Sequence, residues 1–117
     1  MAQLTRFHVG PRLSEMAIHQ QVAYLAGQVP ENMNGDIVSQ TREVLACIDR
    51  LLAEAGTDKT RLLQVQIFLR DMADFQAMNE VWDAWVATGH TPPRATVEAR
   101  MANPDCLIEI VCTAALA

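Results

Sequence analysis

The 117-residue sequence contains no apolar run of the length, about 18 to 20 residues, that crosses a bilayer. It also lacks a basic N-terminal segment leading into an apolar stretch. Both absences point to a soluble, cytoplasmic protein with no membrane partner. No block of Lys or Arg is present. Nine basic residues against fourteen acidic ones leave a net charge of −5, which disfavours a nucleic-acid surface. Cysteine is scarce. Cys47, Cys106 and Cys112 make an odd count without C-x-x-C spacing, which argues against a disulfide framework and fits small buried thiols in a reducing compartment. His8, His19 and His90 have no ligand spacing with one another or with Cys, so no metal site is expected. The phosphate-binding patterns G-x-x-x-x-G-K and G-x-G-x-x-G and the nucleophile elbow G-x-S-x-G are all missing. So are repeats, low-complexity tracts and any linker long enough to set off a further domain. Residues 1–117 read as a single domain.

Half of the residues are hydrophobic, and their spacing carries the fold. Thr5, Phe7 and Val9 alternate with Leu4, Arg6 and His8 before Gly10-Pro11 breaks the run. Glu15 to Ile18 and Val22 to Gly27 read as a hairpin around His19-Gln20-Gln21, a turn with neither Gly nor Asn. A loop from Gln28 to Gly35 follows. Ile37, Val44, Leu45, Ile48, Leu51, Leu52 and Ala55 then form a helical stripe, with Asp36 or Ser39 as its cap and Gly56 as its stop. Leu62 to Leu69 reads as a strand, with Leu63, Val65, Ile67 and Leu69 on one side and Gln64 and Gln66 on the other. A second helix starts near Asp71 or Asp74. Its stripe is Phe75, Met78, Val81, Trp82, Trp85 and Val86, and Gly89 stops it. Strands over Arg94 to Met101 and Leu107 to Ala114 flank the turn Asn103-Pro104-Asp105. The order β-β-β-α-β-α-β-β suits an α+β two-layer domain with both helices on one face of one sheet. Two helices leave the other face uncovered. Neighbouring copies of the same sheet are its expected cover.

Two charged residues stand out. In TPPRATVEARM, residues 91–101, Arg94 follows the rigid Pro92-Pro93 pair. Alternation puts Arg94, Thr96, Glu98 and Arg100 on one face and Ala95, Val97, Ala99 and Met101 on the other. A guanidinium on so stiff a mount suits a carboxylate receptor; pairing with Glu98, Glu109 or a neighbouring subunit is the structural alternative. Glu109 is the only charge in Leu107-Ile108-Glu109-Ile110-Val111-Cys112. A carboxylate in that setting is partly desolvated and a better base near neutrality; an edge-strand charge or a simple salt bridge is the alternative. A tight hairpin through Asn103-Pro104-Asp105 places Glu109 opposite Glu98 or Ala99, about 13 Å along the strand from Arg94.

The stretch P-P-R-A-T-V-E-A-R-M-A, followed after a turn by I-E-I, resembles the signature of the Rid family, the reactive-intermediate or 2-iminoacid deaminases. They were formerly called YjgF proteins and are often labelled endoribonuclease L-PSP. The resemblance extends to Y-L-A-G-Q-V-P at Tyr24–Pro30, to V-Q-I-F-L-R-D at Val65–Asp71 and to the fifteen-residue step from Arg94 to Glu109. The segment M-N-E-V-W-D-A-W-V-A-T-G-H-T-P-P-R is most similar to the YoaB-like branch. The resemblance implies a chorismate-mutase-like fold and a homotrimer whose sheets form a central barrel, with a site in each cleft between subunits.

Carried over to this chain, the family pattern makes Arg94 the clamp for a substrate carboxylate and Glu109 the residue that orients the attacking water. Thr96 stands where many members have Cys. Gly27 and Asn79 occupy pocket positions, with Ala26 in place of a common Ser. Arg12 or Leu13 takes the place of the family Tyr after Gly-Pro; a second arginine there suits a second anionic group or a wall of the cleft. The implied reaction needs no cofactor. It hydrolyses a 2-imino acid, the tautomer of an enamine such as 2-aminoacrylate, to a 2-keto acid and ammonia. The same cleft in a non-catalytic protein would bind a small carboxylate, and the old family label raises ribonuclease activity as a third class.

Overall fold

The computed structural model describes residues 3–117, and the observed elements follow the expected order. They are β1 (Leu4–Val9), β2 (Ser14–His19), β3 (Val22–Leu25), α1 (Ile37–Glu54), β4 (Leu62–Leu69), α2 (Phe75–Trp85), β5 (Arg94–Glu98) and β6 (Ile108–Ala115). The strands form one mixed sheet in the order β1-β2-β3-β6-β4-β5. Both helices pack on the same face. A thickness of 20 Å leaves room for one helical layer on one sheet and for no third layer.

Helix α1 begins where the Asp36 carboxylate accepts the Ser39 N–H at 2.9 Å, so Asp36 rather than Ser39 is the cap. It ends at Ala55, and Gly56 takes the left-handed conformation (φ 78°) that a side chain would resist. Asp71 and Asp74 both act at the second helix: Asp71 caps a short 3-10 turn, and Asp74 precedes α2. Gly89 does not itself stop α2, which already ends at Trp85; it forms the turn beyond, at φ 82°. The core lies between α1 and the middle strands, with Leu45, Ile48, Leu52, Ile67, Ile108 and Ile110 fully buried. Each such side chain contributes about 2–5 kcal/mol against truncation to Ala. The stripe of α2 is shallower: only Met78 and Trp82 are buried, and Phe75 is 38 % exposed.

The turn between β2 and β3 pairs His19 with Val22, leaving Gln20 and Gln21 as a two-residue loop with φ of 51° and 67°. A loop with both residues left-handed matches the right-handed twist of the flanking strands even without Gly or Asn.

Three further expectations need correction. The strand β4 carries an irregularity between Leu62 and Gln64 that turns Leu62 into the core and leaves Leu63 45 % exposed. Strand β5 ends at Glu98, three residues short of Met101. Most consequentially, β5 and β6 do not form a hairpin. Strand β5 pairs in parallel with β4 at the sheet edge, while β6 lies between β3 and β4 and pairs antiparallel with both. The buried side chain of Gln40 on α1 directs this path. It donates to the carbonyls of Gly35 (3.1 Å) and Asp105 (3.0 Å) and accepts the Leu107 N–H (2.8 Å). The chain is thereby held under α1 and enters the sheet centre. There the apolar positions of β6 are buried, whereas β5, with charges at Arg94 and Glu98, suits the edge.

The faces of β5 are also informative. Arg94, Thr96 and Glu98 register with Val65, Ile67 and Leu69, which are buried beneath the helices. The polar residues of β5 therefore face the helical layer, and apolar Ala95 and Val97 face the open side. Val97 is 42 % exposed there, and Tyr24, 49 % exposed, lies on the same face.

Candidate functional site

The expected site residues form two groups and an outlier. The first group sits between α2 and β5. Helical spacing puts Asn79 and Trp82 on one face of α2, and strand alternation puts Arg94 and Thr96 on the helix side of β5. The Arg94 guanidinium lies over the Trp82 ring, 5.1 Å from its centroid. Arg94 Nη1, Thr96 Oγ1 and Asn79 Oδ1 are each buried without a hydrogen-bond partner. Three unpaired polar atoms in one small region are costly, because each gave up water for nothing within the chain. Burial pulls the Arg94 pKa below its ordinary value, and the negative charge of Asp83 acts in the opposite direction. Neither Glu98 nor Glu109 pairs with Arg94. Glu98 is occupied elsewhere, accepting the Met72 N–H at 2.9 Å.

The second group sits at the end of β3. The backbone of Gln28 bridges to Ile110 in both directions, at 2.8 and 3.1 Å, and its buried side chain donates to Glu15 Oε2 (2.8 Å) and the Ala26 carbonyl (3.1 Å). These bonds press Gly27 against Glu109. A Cβ at Gly27 would stand 2.1 Å from Glu109 Oε2, so any side chain there displaces the Glu109 carboxylate. Glu109 alternates with buried Ile108 and Ile110, which turns its half-buried side chain to the open face of the sheet.

Arg12 is the outlier. It is exposed in the turn between β1 and β2 and makes no side-chain hydrogen bond or ion pair among the described residues. No three His, Cys, Asp or Glu side chains converge to hold a metal ion among the described residues, and no helix is long and apolar enough to cross a membrane.

Within one chain, Arg94 and Glu109 do not meet. Arg94 shares a row with Val65 and Cys112, and Glu109 shares one with Phe68. Two strand spacings and three residues of rise separate their backbones by about 14 Å. Their side chains also leave opposite faces of the sheet. Residue-by-residue reading missed two supporting side chains, Trp82 and Gln28. Trp82 sits three residues after Asn79, a spacing visible in the sequence but indistinguishable there from ordinary core. Gln28 carries no pattern at all.

The fold and these paired residues define a two-layer α+β protein of the YjgF type. The family described as Endoribonuclease L-PSP matches residues 5–116. A RutC family protein of Haemophilus ducreyi is 50 % identical over 113 residues, covering 97 % of each chain. The RutC family protein YoaB of Escherichia coli is 43 % identical over 113 residues, covering 97 % of this chain and 98 % of that one. A crystal structure of NMB1025, a YjgF-family protein from Neisseria meningitidis, superposes with a TM-score of 0.95 at 49 % identity, covering 98 % of this chain and 96 % of that chain. The chain belongs to the Rid/YjgF family, in its YoaB-like branch.

Proposed function

We propose that this protein is a cytoplasmic 2-iminoacid deaminase, acting as a homotrimer with each site shared between two subunits. The observation that carries the reading is the buried, unpartnered Arg94 Nη1 beside two further unpaired polar atoms on Asn79 and Thr96. A small ligand with a carboxylate and a nitrogen satisfies such a set. Arg94 binds the carboxylate, whose charge offsets the desolvation of the guanidinium. A neighbouring subunit supplies Glu109 across the cleft, since its own chain directs it away. The exposed apolar positions Tyr24 and Val97 are the surface such a neighbour would cover.

The chemistry is then brief. Water held by Glu109 adds its oxygen to the C=N carbon while a proton passes to the nitrogen. The resulting carbinolamine loses ammonia as its hydroxyl proton departs, leaving the 2-keto acid. A single carboxylate can serve both proton transfers, and positioning supplies the remainder. No cofactor enters.

The test generates a panel of imino acids in situ with an amino-acid oxidase and traps surviving imine with semicarbazide. Wild-type protein is expected to lower the trapped imine and Arg94→Ala to leave it unchanged. Equal activity of the two proteins overturns the reading. The separation of Arg94 from Glu109 within one chain favours a second possibility, a trimer that binds a keto acid at Arg94 without turnover. Carboxylate binding with no imine hydrolysis identifies it. Salt-sensitive RNA binding that ignores the Arg94 substitution would instead revive the ribonuclease label.

A further inference from the structure

The Arg94 side chain reaches the α2–β5 cleft with no carboxylate to hold it, yet an effective clamp needs a fixed plane. Its support is aromatic. Trp82 is 6 % exposed, and its ring lies under the guanidinium at 5.1 Å. Trp82 is itself braced by Trp85, with ring centroids 5.4 Å apart and planes tilted by 50°. Trp85 is locked in turn: its indole N–H donates to Asp49 Oδ2 of α1 at 2.9 Å, and the Lys59 ammonium lies 5.0 Å from its centroid. The ladder Lys59–Trp85–Trp82–Arg94 runs from the α1 side of the helical layer to the edge strand.

We propose that Trp82 is a positioning residue for the Arg94 clamp, its indole face fixing the guanidinium plane so that Nη1 is presented edge-on to the carboxylate of a 2-imino or 2-keto acid. A π face suits the task better than an acidic partner. It attracts the cation but accepts none of its in-plane N–H bonds, so the fork stays available to ligand. An Asp or Glu in its place would compete with substrate for the same donors. The stacked ring also prevents the long side chain from sampling other rotamers, lowering the ordering cost of binding. The proposal rests on Arg94 being the carboxylate clamp of the function proposed above.

The experiment titrates the assembled protein with 2-oxobutanoate and follows the two indole N–H signals by NMR. Trp82→Phe, which retains a weaker ring face, is expected to bind about threefold less tightly, and Trp82→Leu about tenfold less tightly. In turnover the loss is expected in KM while kcat holds, and Trp82→Tyr restores most of the affinity. Adding Trp82→Leu to Arg94→Ala is expected to cost nothing further, because the ring acts only through the guanidinium. Unchanged affinity in Trp82→Leu, or an equal loss in both backgrounds, overturns the proposal. Should Trp82→Leu fail to fold, Trp82→Phe against Trp82→Tyr makes the same comparison, and equal affinity in both with wild type overturns it too. If Arg94→Ala alone binds 2-oxobutanoate as wild type does, the clamp itself is wrong and the role of Trp82 falls with it.

Discussion

The α2–β5 cleft and the β3–β6 corner handle buried polarity in opposite ways. In the corner the buried Gln28 is satisfied within the chain, bonding Glu15, Ala26 and Ile110, and Gly27 is wedged against Glu109. In the cleft, Arg94, Thr96 and Asn79 each leave an atom unpaired. On the proposed reading the Gln28-bonded corner is a frame that sets the place of the Glu109 carboxylate. The unsatisfied cleft is then the receptor, and the ligand supplies its missing partners. The two regions also face opposite sides of one sheet, and the proposed trimer brings frame and receptor together through a second copy.

The largest expected effect falls on the receptor. Arg94→Ala should lower kcat/KM by about a hundredfold or more, since it removes charged hydrogen bonds worth about 1.5–3 kcal/mol each. Its thermal midpoint should hold or rise, because the substitution also removes a buried unpartnered donor. A large loss of stability would show that the cleft is structural. Glu109→Gln, in the frame, should lower kcat by about a hundredfold or more while keto-acid binding persists. Mixing the two inactive variants sharpens the contrast. Shared sites should regain roughly a quarter of wild-type activity after subunit exchange, the random fraction of interfaces that carry both intact groups. Continued inactivity after demonstrated exchange would place both groups in one chain.

Gly27→Ala should be milder. Its methyl group must displace the Glu109 carboxylate, at about 1–3 kcal/mol of stability and about tenfold in kcat, with carboxylate affinity retained. The smallest effect concerns Cys112, behind the sheet centre. Burial pushes its thiol from 9.0 up to about 12. Its contribution to stability is complete below pH 9 and declines as the pH rises toward 12, where the unfolded chain releases a proton that the folded chain retains. Native protein at pH 8 should therefore resist alkylation at this position, and labelling detected by mass spectrometry before any unfolding would contradict the burial.

Local patterns carried far. The apolar stripe and caps of α1, the alternation of β1 to β3 and the stiff Pro92-Pro93-Arg94 entry to β5 are properties of neighbours in sequence, and so are legible in one chain. The family resemblance likewise named Arg94, Glu109, Gly27, Asn79, Thr96 and Arg12, of which Arg12 lies apart in the exposed β1–β2 turn. Pairing was less accessible. A hairpin through Asn103-Pro104-Asp105 is locally reasonable; it loses to Gln40, sixty-five residues from Asp105, whose amide captures the connection.

What the sequence determined by itself was the set of elements, one apolar face per helix and membership of the Rid/YjgF family. Only the tertiary structure decided that β6 enters between β3 and β4, that Arg94 rests on Trp82 while Glu109 turns to the other face, and that the frame and the receptor are about 14 Å apart. The physical reason is that periodicity records which side of an element is apolar. Strand order and the path of a connection depend instead on contacts between residues far apart in sequence, each favourable only after the chain has closed upon itself.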